Sequence, residues 1–168
     1  MSQWMDIVFQ TILVGIGATM AMDLWRFLLQ KTLNVNSLDL GLLGRWVGYC
    51  IRGKFFHEKI ANTQPISGEL ILGWISHYMI GIFFASLLPI LWGEVWLENP
   101  SLKEPLFLGF MTILAPWFLM QPAMGIGIAA SKTPKPYQVR IRNIAIHSVY
   151  GFGLYGSALL TQVFYAKF

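Results

Sequence analysis

Four stretches of this chain are each as long as a membrane's hydrocarbon core is thick and nearly free of charge. They run from Ile7 to Leu29, Leu70 to Trp92, Leu106 to Ala130 and Ile144 to Ala166. About 20 mainly apolar residues in a helix cross that core. A soluble bundle would need a polar face on each helix, and none of these stretches has one. Only 12% of the 168 residues are charged and 55% are hydrophobic, whereas soluble domains carry about 25% charged residues. The expected fold is therefore an all-α membrane protein of four transmembrane helices forming a single domain over residues 1–168.

The charges that remain set an orientation. Arg26, Lys31, Arg45, Arg52, Lys54 and Lys59 belong to the first connection, and Lys132, Lys135, Arg140 and Arg142 to the third. The other side has Lys103 and Lys167 together with Glu94, Glu98 and Glu104. Basic residues mark the cytoplasmic side, so both termini are expected outside, and the surplus of Lys and Arg reflects topology with no nucleic-acid role. Trp4, Trp92, Trp96 and Tyr165 then fall at the external interface. The opening MSQWMDIVFQ has no basic n-region and no cleavage site follows the first run, so that run is expected to stay as a helix. The single cysteine, Cys50, excludes an intrachain disulfide and a Cys-pair motif.

The cytoplasmic loop, residues 30–69, is too long for a plain hairpin. Ser37 can cap a helix with Asp39 in its first turn. Leu42, Leu43, Trp46, Val47 and Cys50 recur at helical spacing, Arg45 and Arg52 lie off that stripe, and Gly53 can end the helix. This predicts an amphipathic helix in the membrane interface, or alternatively a lid over a cytoplasmic cavity. Gly44 and Gly48 count against a stable helix.

Ionisable groups within spans are costly and so point to function. At 1.5 Å per residue, Asp23, His77, Gln121 and His147 lie about 9, 12, 14 and 7 Å from the cytoplasmic end. Each lies on a face of small residues: Gly15, Thr19 and Asp23; Glu69, Gly73, His77 and Gly81; Gln121, Gly125 and Ala129; Asn143, His147 and Gly151. Such faces pack helices together in membranes. The expectation is a polar pocket in the cytoplasmic half lined by Asp23, His77, Gln121 and His147, with Glu69 at its mouth. The competing reading is that these groups are interhelical hydrogen-bond glue, with Asp23 merely paired to Arg26.

Pro116 and Pro122 break the third span and free carbonyls at membrane depth, as binding sites of transporters do. Gly15-Ile-Gly17 matches Gly125-Ile-Gly127, and His77-x-x-x-Gly81 matches His147-x-x-x-Gly151, which suggests two parallel repeats with His77 opposite His147. The glycine pairs follow no strand and are not dinucleotide fingerprints. No HExxH, GxSxG or P-loop is present.

The runs MDLWRFLL, SLDLGLLGRWVGY, GELILGWISHYMIG, MQPAMGIGIAASKTP and HSVYGFGLYGSAL, covering roughly residues 10 to 160, resemble the bacterial membrane proteins of domain-of-unknown-function family 2938. The resemblance implies a multi-pass protein of a bacterial inner membrane. It carries no activity and no functional residues.

Three functions fit these residues. The first is a proton-coupled small-solute transport or ligand-binding protein, in which case four helices are few and a homodimer is expected. The second is a structural partner subunit. The third is a metal or haem protein, conceivably an enzyme, with His77, His147 and Asp23 as ligands. The residues lean away from an enzyme. They name no cofactor, and beyond the lipid bilayer they imply at most a small-molecule or ion ligand.

Overall fold

A computed structural model describes residues 3–34 and 39–165. Among the described residues there is no strand. The helices are α1 (Gln3–Leu33), α2 (Leu40–Ile51), α3 (Glu69–Trp92), α4 (Val95–Glu98), α5 (Lys103–Thr112), α6 (Gln121–Ala123) and α7 (Pro136–Tyr165). A π-helical stretch, Ala115–Met120, joins α5 to α6. Four segments are long and apolar enough to cross a membrane: Gln3–Leu33, Glu69–Trp92, Lys103–Ala123 and Pro136–Phe164.

The spans pack through their small-residue faces. α1 lies between α3 and α7, α7 lies between α1 and α5, and α3 meets α5 over a smaller area. A Cβ on Gly15 would sit 2.6 Å from the Ile82 Cα, and one on Gly151 would sit 2.8 Å from the Pro105 carbonyl oxygen. Val14, Ala18, Leu88, Leu108 and Leu154 fill the seam. The Tyr150 hydroxyl closes it by donating to the Gly81 carbonyl at 2.6 Å. Side chains pointing away from the seam, such as Phe83, Leu119 and Leu160, are exposed, an apolar outer surface compatible with helices long and apolar enough to cross a membrane.

The third span departs from the expected 106–130. Pro116 has no N–H to give, and the chain accommodates this with a π turn in which the Gln121 N–H reaches back to the Pro116 carbonyl. The helix then stops at Ala123. Gly125 takes φ +81°, its N–H bonds the Pro122 carbonyl at 3.0 Å, and the Ile126 N–H bonds the Gln121 carbonyl at 2.8 Å. This is the Schellman stop, which favours glycine because its left-handed backbone crowds a Cβ. Gly125 and Ala129 therefore do not continue the helical face of Gln121. Nor do Gly125 and Gly127, both at positive φ, match Gly15 and Gly17 inside α1, so the suggested repeat fails at its glycine pairs. The fourth span starts at Pro136, earlier than the expected 144, with proline suited to a first helical turn.

α2 forms where expected but presents a different face. Asp39 is its N-cap, accepting the Gly41 N–H at 2.8 Å; Ser37, the expected cap, lies outside the described residues. The buried face is Leu40, Leu43, Gly44, Arg45 and Gly48, whereas Leu42, Trp46, Val47 and Cys50 are half-buried. The glycines let the two backbones meet: a Cβ on Gly44 would overlap the Glu69 carbonyl, and one on Gly73 would overlap the Leu40 carbonyl. Arg45, expected off the packed stripe, is 8% exposed. α2 is thus docked on the start of α3. Trp96 also differs from the expected lipid anchor: it is buried, with its Nε1 donating to the Ser101 carbonyl at 3.3 Å.

Candidate functional site

The polar residues expected to share one pocket are found in separate pairs, each joining two elements. Asp23 on α1 and His77 on α3 meet: His77 Nε2 is 3.0 Å from Asp23 Oδ1. Arg26, one turn along α1, places Nη1 3.3 Å from the same oxygen. The exposures of the Asp23, His77 and Arg26 side chains are 18%, 13% and 12%, so the cluster is largely withdrawn from its surroundings. Asp23 Oδ2 is buried and has no hydrogen-bond partner. Tyr78 faces the same carboxylate, and the rings of Trp74 and Tyr78 stand edge-on to His77 at 6.3 and 5.8 Å. One oxygen of Asp23 thus links an imidazole on α3 and a guanidinium on α1.

His147 lies elsewhere, on α7 facing α5. The Thr112 hydroxyl donates to the Gly109 carbonyl at 2.7 Å, so its oxygen accepts from His147 Nδ1 at 2.8 Å. This network assigns the proton of the neutral ring to Nδ1 and the lone pair to Nε2.

Gln121, 5% exposed, belongs to a third group. With the Asn143 amide oriented by its neighbours, its oxygen accepts from Gln121 Nε2 at 2.8 Å and Trp117 Nε1 at 2.9 Å, and its nitrogen donates to the Val139 carbonyl at 3.2 Å. The π turn aims Trp117 and Gln121 at α7 together. Gln121 Oε1 is buried without a partner.

Glu69, expected at the mouth of a pocket, is paired with Arg45 on α2. Its two oxygens accept from Arg45 Nη2 at 2.8 Å and Arg45 Nε at 2.9 Å, and Oε2 also accepts the Ile66 N–H at 3.0 Å. Arg45 Nη1 is within hydrogen-bonding distance of the carbonyls of Ile60, Ala61 and Thr63, at 3.3, 3.4 and 2.9 Å. The hydrogen bonds that the guanidinium donates to Glu69 hold its pKa above the ordinary value. Arg45 thus ties α2, the loop and α3 into one unit.

Two features escaped the reading of the sequence. His57, in a stretch that looks irregular, is 7% exposed and sits against the end of the third span. At the opposite end of the bundle, Gln3, Asp6, Gln10, Glu94 and Glu98 line a cavity of about 360 Å³, and Gln3 Nε2 donates to Glu94 Oε1 at 3.1 Å. His57 carries no helical periodicity; Gln3, Asp6 and Gln10 recur at helical spacing on α1, but their meeting with Glu94 and Glu98 depends on a chain reversal between distant segments. Among the described residues, no group of three or more His, Cys, Asp or Glu is placed to hold a metal ion; His147 in particular stands apart from the Asp23–His77 pair.

The model of the family described as "Protein of unknown function (DUF2938)" matches residues 12–161, and the chain belongs to that family. No curated protein and no solved structure matches it.

Proposed function

We propose that this protein is a multi-pass protein of a bacterial inner membrane that couples protons to the binding or movement of a small solute, with Asp23 and His77 as its proton-handling pair. The observation that supports this most is the geometry at Asp23: a largely buried carboxylate within an apolar span, one oxygen shared by His77 and Arg26, with Tyr78 facing the same carboxylate. Groups of this kind are expensive at membrane depth and are kept for proton or ion traffic. The ten basic residues at the α2 end, against two at the other, favour that end as cytoplasmic. Asp23 and His77 then open toward the cytoplasmic half, and Glu69, Gln121 and His147 hold the surrounding helices in register. Four helices enclose little space for a solute path, which favours a homodimer.

Infrared difference spectra of the reconstituted protein, taken between an acid and a neutral sample, test this reading. A carboxyl difference band is expected in the wild type and absent in Asp23→Asn, while His77→Gln, which changes a direct partner of that carboxylate, alters it. A spectrum with no such band, or one unchanged in Asp23→Asn, would leave the pair as a helix staple and favour the structural reading.

A further inference from the structure

The loop between α2 and α3 does not hang free; it is fastened to the broken end of the third span. The His57 N–H donates to the Ala123 carbonyl at 2.8 Å, and the Ile60 N–H donates to the Met124 carbonyl at 3.0 Å. Gly125 sits so close to this strip that a Cβ there would lie 2.7 Å from the His57 carbonyl oxygen and would overlap that of Glu58. Ile60 and Met124, at 2% and 0% exposure, fill the junction. The groups that close it are neutral apart from the Arg45 guanidinium, which holds the Ile60, Ala61 and Thr63 carbonyls.

The one titratable side chain within this contact is His57. The Thr63 hydroxyl lies 3.1 Å from His57 Nδ1. His57 Nε2 is buried and without a hydrogen-bond partner. The surroundings are unfavourable to a second proton. On α2, the Tyr49 ring stands edge-on at 5.2 Å, and the Lys54 ammonium and Arg52 guanidinium lie over that same ring at 5.6 and 5.9 Å. The Arg45 guanidinium binds the Thr63 carbonyl. Lys54 and Lys59 are close in sequence on the same strip, with Glu58 as its one acid. The α3 carboxylate, Glu69, is already engaged by Arg45. Ala123 and Met124 bring no ionisable group.

We propose that His57 is an acid-sensitive latch: neutral, it holds the 55–63 strip against Ala123 and Met124, and protonated it releases that strip from the end of the third span. Burial and the Lys54 charge oppose the charged ring more than the Lys54 carbonyl supports it, and the backbone bonds at Ala123 and Met124 are lost with it. Release frees the Gly125–Gly127 turn that terminates the π-kinked span, so acid on this side of the bundle loosens the helix carrying Trp117 and Gln121. This inference is independent of the Asp23–His77 reading.

Hydrogen–deuterium exchange of the full-length protein in lipid nanodiscs, corrected for intrinsic rates, tests it. Peptides covering 55–63 and 121–127 are followed at about pH 7.5 and about pH 5.5, either side of an ordinary histidine. In the wild type, exchange in both peptides is expected to rise about tenfold in acid, as local opening does. His57→Asn keeps a donor for Thr63 and cannot take a charge, so its peptides stay protected at both pH values. Equal protection of the wild type at both pH values, or the same acid loss in His57→Asn, overturns the latch. If His57→Asn is already unprotected near neutrality, Lys54→Gln decides. Removing that positive charge moves the opening midpoint to higher pH, and an unmoved midpoint overturns the assignment to His57.

Discussion

Gly44 and Gly73 bring two helices into backbone contact: the α2 chain at Gly44 lies on the Glu69 carbonyl, and the α3 chain at Gly73 lies on the Leu40 carbonyl. His77 is one turn beyond Gly73 on the same face, and Gly81 is one turn beyond that. α2 therefore covers the face of α3 immediately next to the Asp23–His77 pair, and α1 covers the rest. The docking of α2 and the placing of His77 are a single packing problem.

Replacing Gly73 with alanine should test this. The added methyl meets backbone that cannot rotate away, and overpacking of this kind costs about 1–3 kcal/mol. α2 should lift, and maleimide labelling of Cys50, half-buried on α2 with a thiol pKa pushed up by burial, should accelerate in Gly73→Ala. Gly156, around which a Cβ meets nothing within 4 Å, is the control: Gly156→Ala should label at the wild-type rate. Equal rates in all three proteins would refute docking through these glycines.

A second prediction concerns Arg45 and Glu69. Arg45→Met leaves the Glu69 carboxylate and three carbonyls without their donor. Removing one partner of a fully buried pair costs about 3–5 kcal/mol; with Glu69 21% exposed, a loss of about 2 kcal/mol is expected. In Arg45→Met with Glu69→Gln the uncompensated charge is gone, so the double variant should be more stable than Arg45→Met alone. Unfolding in mixed micelles, run as a double-mutant cycle, measures the coupling. A coupling indistinguishable from zero would mean that the guanidinium serves the carbonyls and not the carboxylate.

These two cases show what could be read in the residues and what could not. The four spans were legible because hydrocarbon thickness demands long apolar runs, and the small-residue faces were legible because helices repeat every 3.6 residues. Asp23 and His77 could be placed at one depth for the same reason. Depth does not say which neighbour a side chain meets around the bundle, so Gln121, His147 and Glu69 were grouped with them although each has a nearer partner. Arg45 looked off the apolar stripe because the face that packs is made of glycine, which hydrophobicity does not mark. Gly125 carried a usable signal, a glycine just past a helix end, but apolar residues continue to Ala130 and extend the apparent span. His57 had no local signal at all.

The Thr112–His147 contact supplies a third prediction. In Thr112→Val the Nδ1–H of His147 loses its acceptor, and a buried donor left unsatisfied costs about 1–3 kcal/mol. Thr112→Ser keeps the hydroxyl and gives up only a buried methyl, worth about 0.8 kcal/mol, so it should be less destabilised than Thr112→Val. Thermal unfolding in detergent ranks the three proteins, and a valine variant as stable as the serine variant would show that the contact contributes nothing.

Gly125 supplies a fourth. At φ +81° an alanine is strained by about 1–2 kcal/mol, and its Cβ overlaps the Glu58 carbonyl as well. Gly125→Ala should therefore be destabilised by more than the backbone term alone. Gly53, also at positive φ but in open space, isolates that term. Gly125→Ala should lower the unfolding midpoint further than Gly53→Ala; the reverse order would place the strip away from Gly125.

The last prediction is a pH dependence of global stability. Burial first, and then the Lys54 charge, hold the His57 pKa below its ordinary 6.5, partly offset by the Lys54 carbonyl. The folded pKa is thus lower than the unfolded one. Well above pH 6.5 both states carry a neutral ring and the full stability is present. As pH falls below 6.5 the unfolded chain takes up a proton that the folded chain refuses, so stability declines with acid and levels off below the folded pKa. The unfolding midpoint of the wild type should drop over that window, and the drop should shrink in His57→Asn, which cannot take up the proton in either state. A midpoint that rises with acid in the wild type, or an identical fall in His57→Asn, would contradict a buried neutral ring at this position.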